Sequence, residues 1–274
     1  MGGPGQAGSL PGIDPALHRR LVEAGVDPAA IGDPAEAWRR LAAVCGLRAT
    51  LIDRYALEAE ARGVAVEDFP AADRRRMAME VLRARDPQLE VIGSPGGEPV
   101  EVVSYDPGWA ATFARWRAGL AAALGPVAVR IEHMGSTAVE GLAAKPVVDI
   151  MVSVPEVEDE ASYLPAIEGV GVPLRSRETG HRYFRPFPPD PREVQIHVWQ
   201  AGSAGERVHL LLRDYLRAHP AARDAYAAAK REAADGYPDD RIAYNEAKSE
   251  HVLDALEAAE RWAAQTGWGL GEPG

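Results

Sequence analysis

The sequence predicts an α/β (α+β) protein in which a mixed sheet flanked by helices follows an all-α N-terminal domain. Three observations lead to this fold class. Apolar residues recur at three- and four-residue steps through the early part of the chain, which is the period of one-sided helices. Short runs with strand-like alternation or continuous apolar character follow later. The segment 93–99, rich in glycine and proline, separates the two patterns.

The N-terminal domain is predicted to span residues 1–95 and to consist of helices. Three Asp-Pro pairs, which begin at Asp14, Asp27 and Asp33, suit helix starts. The aspartate accepts hydrogen bonds from the first amides, and proline holds φ near the helical value. A further helix is predicted over 71–84. The single cysteine, Cys45, falls in an apolar helical pattern, which favours packing over nucleophilic chemistry.

The C-terminal domain, residues 96–274, is predicted to hold the sheet. A short strand near 100–104 precedes a helix that should start at Asp106-Pro107. Three later strands are expected, at about 127–131, 147–154 and 194–198. The second of these is almost continuously apolar apart from Asp149 and a serine, which is typical of a central strand. Three helices, at about 206–218, 221–235 and 240–265, complete the domain.

Composition limits the classes of function. The chain has 274 residues, and 46% of them are hydrophobic, which is enough for an ordinary buried core. Its formal charge of −11 argues against broad binding of DNA or RNA, although a local basic pocket for a nucleotide is compatible with it. No stretch approaches the roughly 20 apolar residues that span a bilayer, and the first residues lack a signal-peptide pattern. We therefore expect a cytoplasmic protein with no nucleic-acid or membrane partner.

One segment carries most of the chemical information: the run Arg130-Ile-Glu-His-Met-Gly-Ser-Thr137, followed by a strand that contains Asp149. A carboxylate in an apolar strand requires a hydrogen bond, an ion pair or a ligand, because burying it alone is too costly. Gly135 allows the backbone to approach a ligand closely. Ser136 and Thr137 add hydroxyls beside amides that can hold a phosphate. Together these features predict a nucleotide site.

The same segment resembles the signature of the GrpB-like family, a branch of the nucleotidyltransferase superfamily. The resemblance rests on His133-Met-Gly-Ser-Thr-Ala-Val and on Gly141-Leu-Ala-Ala-Lys-Pro-Val-Val-Asp149-Ile. Other motifs agree in order: Tyr105-Asp-Pro-Gly-Trp109, His181-Arg-Tyr-Phe-Arg185, His197-Val, Leu212-Arg-Asp-Tyr-Leu-Arg-Ala-His-Pro220, and the pair Tyr244 and Lys248. The resemblance covers roughly residues 100–264 and implies a nucleotidyltransferase-like fold there.

The resemblance also implies a Mg²⁺ site. Superfamily members commonly hold divalent metal with two carboxylates at Asp-x-Asp and a third from a nearby strand. Here Asp149 occupies the first position, Met151 stands at the second, and Glu193 is a candidate additional ligand, so one metal or two remain open. The family often has His-x-His where this chain has Gln195-Ile-His197. His197 is a candidate proton acceptor, phosphate contact or metal ligand.

Six further residues are candidates for contact with the nucleotide: His133, Lys145, Arg182, Arg185, Tyr244 and Lys248. Lys145 could neutralise a phosphate or pair with a nearby acid. Arg182 and Arg185 flank two aromatic residues, a combination that can pair with phosphate and stack on a base; a solvated strand edge is the alternative. Tyr244 and Lys248 either close over the nucleotide or form an exposed pair one helical turn apart. His133 either orients the turn or touches phosphate.

These features predict an enzyme that uses ATP or another NTP with Mg²⁺ and transfers a nucleotidyl group to a small-molecule acceptor. Asp149, His197 and Lys145 are the predicted catalytic residues. A variant of this chemistry activates a carboxylate for amide formation. The alternative is a catalytically degenerate binding or assembly module with the same fold, which the missing second aspartate favours. The N-terminal helices could cover the acceptor site, bind a partner or form a homo-oligomer.

Overall fold

The computed structural model describes residues 15–23, 26–32, 36–37, 58, 61–63, 73, 89–93 and 99–271. The chain divides into two compact units, Met1–Gln88 and Leu89–Gly274. The junction predicted from sequence, near residue 95, lies after Glu90–Val91. Those two residues form a strand of the second unit's sheet, so the sheet begins before the glycine- and proline-rich segment.

The described part of the first unit is helical. Helix α1 covers Pro15–Glu23 and buries Leu17 and Leu21. A single 3-10 turn covers Pro28–Ala30, where Asp27 accepts a hydrogen bond from the Ala29 amide at 3.0 Å, the capping expected for an Asp-Pro pair. Cys45, the third Asp-Pro pair and the helix predicted over 71–84 (apart from Asp73) lie outside the described residues.

The second unit contains a mixed sheet of six strands. The strands are β1 Glu90–Val91, β2 Arg130–Met134, β3 Val148–Val154, β4 Leu174–Glu178, β5 His181–Phe184 and β6 Val194–Gln200. Their order across the sheet is β1-β4-β5-β6-β3-β2. The β3–β6 pair is parallel and the other pairs are antiparallel. The mixed sheet confirms the predicted fold class.

Five helices accompany the sheet in the described part of the second unit. They are α2 Gly108–Leu124, α3 Leu164–Gly169, α4 Ala204–Ala218, α5 Pro220–Gly236 and α6 Arg241–Thr266. The strand predicted near 100–104 is instead an isolated bridge between Val103 and Ala144. The strand predicted from 127 begins at Arg130, because a 3-10 turn covers Gly125–Val127. Within the described residues, no helix is both long and apolar enough to cross a membrane.

The two faces of the sheet differ, and this difference positions the site. Helices α2 and α3 pack on one face, where Leu120 and Ile167 join Ile150 and Val152 in the main core. On the other face, Met151 packs with Met134 and with Leu210 of α4. Because side chains alternate along β3, Asp149 lies on the same face as Met151, away from α2.

Candidate functional site

The Asp149 carboxylate lies against the turn that follows β2. Asp149 is opposite Met134, the last residue of β2, so the antiparallel register brings Gly135 beside it. A Cβ atom on Gly135 would lie 2.5 Å from Asp149 Oδ2, and Gly135 has φ +69°. Glycine is required here both for the backbone conformation and for the close approach of the turn to the carboxylate.

Substitution of Gly135 by alanine is therefore expected to destabilise the second unit by about 1–3 kcal/mol and to displace Asp149. The matched control is Gly171→Ala, because Gly171 also has a positive φ, +90°, but an added Cβ there meets nothing within 4 Å. Urea unfolding and nucleotide titration of both variants check the prediction. Equal nucleotide binding by the two variants would contradict a special role for the Gly135 turn.

Asp149 has polar neighbours on the adjacent strand β6. Asp149 Oδ1 lies 3.7 Å from His197 Nε2. In the amide orientation that satisfies its neighbours, Gln195 donates to Asp149 Oδ1 and to Tyr183 Oη, each at 3.2 Å, and accepts from Arg192. The Asp149 side chain keeps 28% of its surface exposed, so a ligand can still reach the carboxylate. Gln195, where the resemblance led us to expect a histidine, thus orients Asp149 through its amide.

A second histidine supports His197. His181 Nε2 lies 3.0 Å from His197 Nδ1, and His181 Nδ1 lies 3.6 Å from Glu178 Oε2. Burial lowers the pKa of His197, with Asp149 acting in the opposite direction. His197 is therefore mainly neutral at pH 7. The two imidazole rings therefore share one hydrogen bond, and the other ring nitrogen of His197, Nε2, faces the Asp149 carboxylate.

Three lysines act on the same region. Lys145 Nζ lies 5.0 Å and Lys248 Nζ 5.6 Å from the centre of the Tyr244 ring. Burial, together with the charge of Lys248, lowers the pKa of Lys145 to about 8. Lys230 of α5 is 2% exposed, and its Nζ has no hydrogen-bond partner among the described residues. Burial, with the charges of Lys248, Arg231 and Lys145, lowers the pKa of Lys230 to about 6.

The sequence reasoning missed Lys230, although a signal was present. The buried stripe of α5 consists of Tyr226, Ala227, Ala229, Lys230, Ala233 and Ala234. Lys230 occupies the i+4 position after Tyr226 and the i−4 position before Ala234, so it falls on the apolar face where a charged residue is rare. A lysine on such a stripe is a candidate site residue.

The predicted residue His133 lies on the opposite face of the sheet from Asp149. It pairs in register with Ile150, and its ring stacks on Phe113 of α2 with centroids 4.8 Å apart. Its Nε2 lies 3.0 Å from Oγ1 of Thr137, which is itself buried. Burial lowers the pKa of His133 to about 4. A neutral His133 therefore braces the turn together with Thr137, while Ser136, half-buried, remains the hydroxyl of the turn available to a phosphate.

Two other predicted residues are engaged elsewhere. Arg182 pairs in register with Val198, which places it on the face of α2 and α3, and it donates to the carboxylates of Glu158 and Glu160. The phosphate role predicted for Arg182 is not supported by this placement. The prediction rested on the spacing of Arg182 and Arg185 around two aromatic residues, and that spacing does not say which face of β5 each arginine occupies. Arg185, by contrast, follows β5 and is buried, and its charge acts on the phenol of Tyr183.

Glu193 is likewise directed away from Asp149. Its Oε1 accepts hydrogen bonds from Arg115 Nη2 at 2.8 Å and from Trp116 Nε1 at 2.9 Å, both on α2. Strand β6 begins at Val194, so Glu193 lies just before the strand, where its side chain is held by α2. The role of Glu193 as a metal ligand is not supported.

Tyr244 belongs to the core. It is 1% exposed and packs with Val100, Ala233 and Ala234. Its ring supports the ammonium groups of Lys145 and Lys248 through cation–π contacts. The sequence left open whether Tyr244 and Lys248 form an exposed pair or close over the nucleotide. In the structure, Tyr244 is instead buried, and its ring contacts two lysines.

The residues present fit one hydrated Mg²⁺ and do not fit a two-metal cage. Within the described residues no group of three or more His, Cys, Asp or Glu side chains could hold a metal ion. Met151, at the position of the second carboxylate, is fully buried against Met134 and Leu210. Mg²⁺ that keeps several waters and binds substrate phosphates needs only one or two carboxylates, and Asp149 supplies one.

The sheet, the glycine-serine turn and the strand carboxylate define a nucleotidyltransferase-like α/β domain. A family model described as GrpB protein matches residues 99–258. The chain belongs to the GrpB family, as its motifs suggested.

Similar proteins agree with this assignment. The UPF0157 protein SCO7215 of Streptomyces coelicolor is 41% identical over 165 residues, which cover 60% of this chain and 87% of that protein. The crystal structure of conserved protein GrpB from Enterococcus faecalis superposes with a TM-score of 0.52 at 30% identity, covering 59% of this chain and 99% of that one. A dephospho-CoA kinase of Mycolicibacterium paratuberculosis is 34% identical over 196 residues, 62% of this chain and 48% of the kinase.

Proposed function

We propose that the GrpB domain of this chain binds ATP or another nucleoside triphosphate with Mg²⁺ and transfers the nucleotidyl group to a small-molecule acceptor. The observation that carries the proposal is the setting of Asp149. An accessible carboxylate touches a glycine-serine turn, faces a neutral imidazole, and interacts electrostatically with Lys145 and Lys230. A purely structural aspartate has no need of this combination.

Each group has a role in binding. The backbone at Gly135 and the Ser136 hydroxyl contact phosphate oxygens, as at other anion-binding turns. Asp149 would hold Mg²⁺, which when bound neutralises phosphate oxygens and orients them for in-line displacement. Lys145 neutralises charge that develops on the leaving pyrophosphate. Nucleotidyl transfer depends largely on positioning the reactants and stabilising charge, and these residues supply both.

The proposed transfer is a single displacement at the α-phosphorus. The acceptor oxygen or nitrogen forms a bond to the α-phosphorus, and the bond from that phosphorus to the α,β-bridging oxygen breaks. Its electron pair leaves with pyrophosphate. The acceptor's proton passes to His197 Nε2, and the imidazolium that forms is stabilised by Asp149 at 3.7 Å. When the acceptor is a carboxylate, the same step requires no proton transfer and gives an acyl-adenylate that an amine can capture.

Titration calorimetry with a non-hydrolysable ATP analogue, with and without Mg²⁺, tests the proposal. We expect binding that requires Mg²⁺ and that Asp149→Asn weakens at least tenfold, about 1.4 kcal/mol. The matched control is Asp159→Asn, which removes an equally charged but exposed carboxylate next to a surface turn and should leave the affinity unchanged. Mg²⁺-independent binding that Asp149→Asn does not alter would refute the proposed site.

A second function, a binding module without turnover, is favoured by the burial of Met151 at the position of the second carboxylate. Pyrophosphate release separates the two functions. Release that depends on an acceptor, and is lost in Asp149→Asn, supports nucleotidyl transfer. Tight nucleotide binding with no release across hydroxyl, amine and carboxylate acceptors supports the module. Release that needs both a carboxylate and an amine identifies amide formation.

A further inference from the structure

Lys230 is the most enclosed charged side chain near the site. It is 2% exposed on α5, and its Nζ lies 4.6 Å from the centre of the Tyr226 ring. That ammonium has no hydrogen-bond partner within the part of the chain that the structure describes. A ring face alone is a weak substitute for the water and anions that an ammonium loses on burial.

The charges around Lys230 add to the cost of burying it. The groups whose charges act on it most strongly are Lys248, Arg231, Lys145 and Asp149, of which Asp149 alone is negative. Lys145 and Lys248 in turn share the Tyr244 ring, and the Tyr226 phenol lies close enough for its charge to affect Tyr244. The three lysine side chains thus lie against two phenol rings, Lys145 and Lys248 at Tyr244 and Lys230 at Tyr226.

Folding gains nothing by collecting three basic side chains in a partly enclosed place, where mutual repulsion and burial lower the pKa of Lys230 to about 6. The arrangement is explained if an anion of several charges completes it, because each lysine then acquires an oxygen acceptor and the mutual repulsion is removed. The overall charge of −11 makes the local basic cluster more distinctive, since it does not follow from a generally basic surface.

We propose that Lys145, Lys230 and Lys248 form a polyphosphate subsite, with Lys230 contacting the terminal phosphates. The inference rests on the proposed function in so far as the anion is the β- and γ-phosphate portion of the nucleotide. It goes beyond it by assigning charge neutralisation at those phosphates to a buried lysine of α5. The lysines would neutralise the phosphate charge that a second metal ion neutralises in a two-metal site.

Inorganic tripolyphosphate, titrated into the full chain at low ionic strength with EDTA, tests this subsite separately from the nucleotide. We expect Lys230→Met to weaken tripolyphosphate binding at least tenfold. Arg231→Gln is the matched control, since it removes a neighbouring positive charge from an exposed position on the same helix and should change the affinity less than twofold. Asp149→Asn should bind tripolyphosphate at least as tightly as the parent chain, because it removes a negative charge.

The outcomes distinguish this inference from the proposed function. Unchanged tripolyphosphate affinity in Lys230→Met overturns the subsite, whatever the nucleotide titration shows. Tripolyphosphate binding that depends on Lys230, in a chain that does not bind the ATP analogue with Mg²⁺, supports the subsite and refutes nucleotide binding. No binding of either ligand overturns both. A thermal melting temperature of Lys230→Met at or above that of the parent shows that a loss of binding is not a loss of folding.

Discussion

Replacement of Glu206 by alanine is expected to lower the free energy of unfolding by about 3–5 kcal/mol, the range for removing one partner of a buried ion pair. The Glu206 side chain is 2% exposed on the first turn of α4. It accepts hydrogen bonds from Arg130 Nε at 3.1 Å, Ser153 Oγ at 2.7 Å and the Gly202 amide at 2.5 Å. One carboxylate therefore joins α4 to strands β2 and β3 and to the end of β6.

The loss of stability in Glu206→Ala should arise because the buried charge of Arg130 is left without its carboxylate partner. In Glu206→Ala, the partners that Arg130 keeps among the described residues are the Gly271 carbonyl and, at 3.9 Å, Glu132. The double variant Arg130→Met/Glu206→Leu leaves no buried charge and should lose less stability than Glu206→Ala alone. Glu260→Gln, which breaks an exposed ion pair with Arg207, should have no measurable effect. Urea unfolding at constant m-value checks all three, and equal losses in Glu206→Ala and Glu260→Gln would contradict the interpretation.

Replacement of Lys230 by methionine is expected to stabilise the unliganded protein while weakening anion binding. The pKa of Lys230 is about 6 in the folded protein and 10.5 in its ordinary state. Between these values the unfolded chain binds a proton that the folded chain does not, so stability rises with pH. One such group makes the free energy of unfolding rise by at most about 1.4 kcal/mol per pH unit. This rise ends above the ordinary pKa, where the lysine is neutral in both states.

The measurement is the free energy of unfolding of the parent chain and of Lys230→Met at pH 7 and pH 9. We expect Lys230→Met to be more stable by on the order of 1 kcal/mol or more at pH 7, with the difference shrinking as the pH rises. Lys145→Met supplies a comparison, because the smaller lowering of the Lys145 pKa, to about 8, should give a smaller difference at pH 7. A variant that is less stable than its parent at pH 7 would show that Lys230 is satisfied in the absence of ligand.

The local pattern was sufficient for most elements of the second unit. The Asp106-Pro107 start is confirmed in the structure, where Asp106 accepts a hydrogen bond from the Gly108 amide at 2.8 Å and α2 begins at Gly108. Strand β3 covers Val148–Val154, within the predicted 147–154, because its apolar run is bounded by proline and an acidic turn. The prediction of a strand at 100–104 was wrong. Val103 forms an isolated bridge with Ala144, and Val100 packs against the helices instead.

Part of the cluster around Asp149 could be grouped from sequence. Gly135, Ser136, Asp149, His197 and Lys145 could be found from sequence because they lie in or beside one hairpin and its parallel neighbour, where local register is enough to group them. Arg182 and Glu193 could not be placed from sequence, because their ion-pair and hydrogen-bond partners in the loop before α3 and in α2 are brought to them only by folding.

The sequence by itself determined the fold class, the family and the position of the strand carboxylate, because hydrophobic period, turn chemistry and motif spacing are all local properties. Only the tertiary structure decided which side chains lie with Asp149 on the same face of the sheet. Lys230, Lys145 and Lys248 are separated by up to about a hundred positions in the chain, and only the packing of α5 and α6 brings their charges to one place. Burial then shifts the pKa values that distinguish this cluster, and burial is a property of the folded chain.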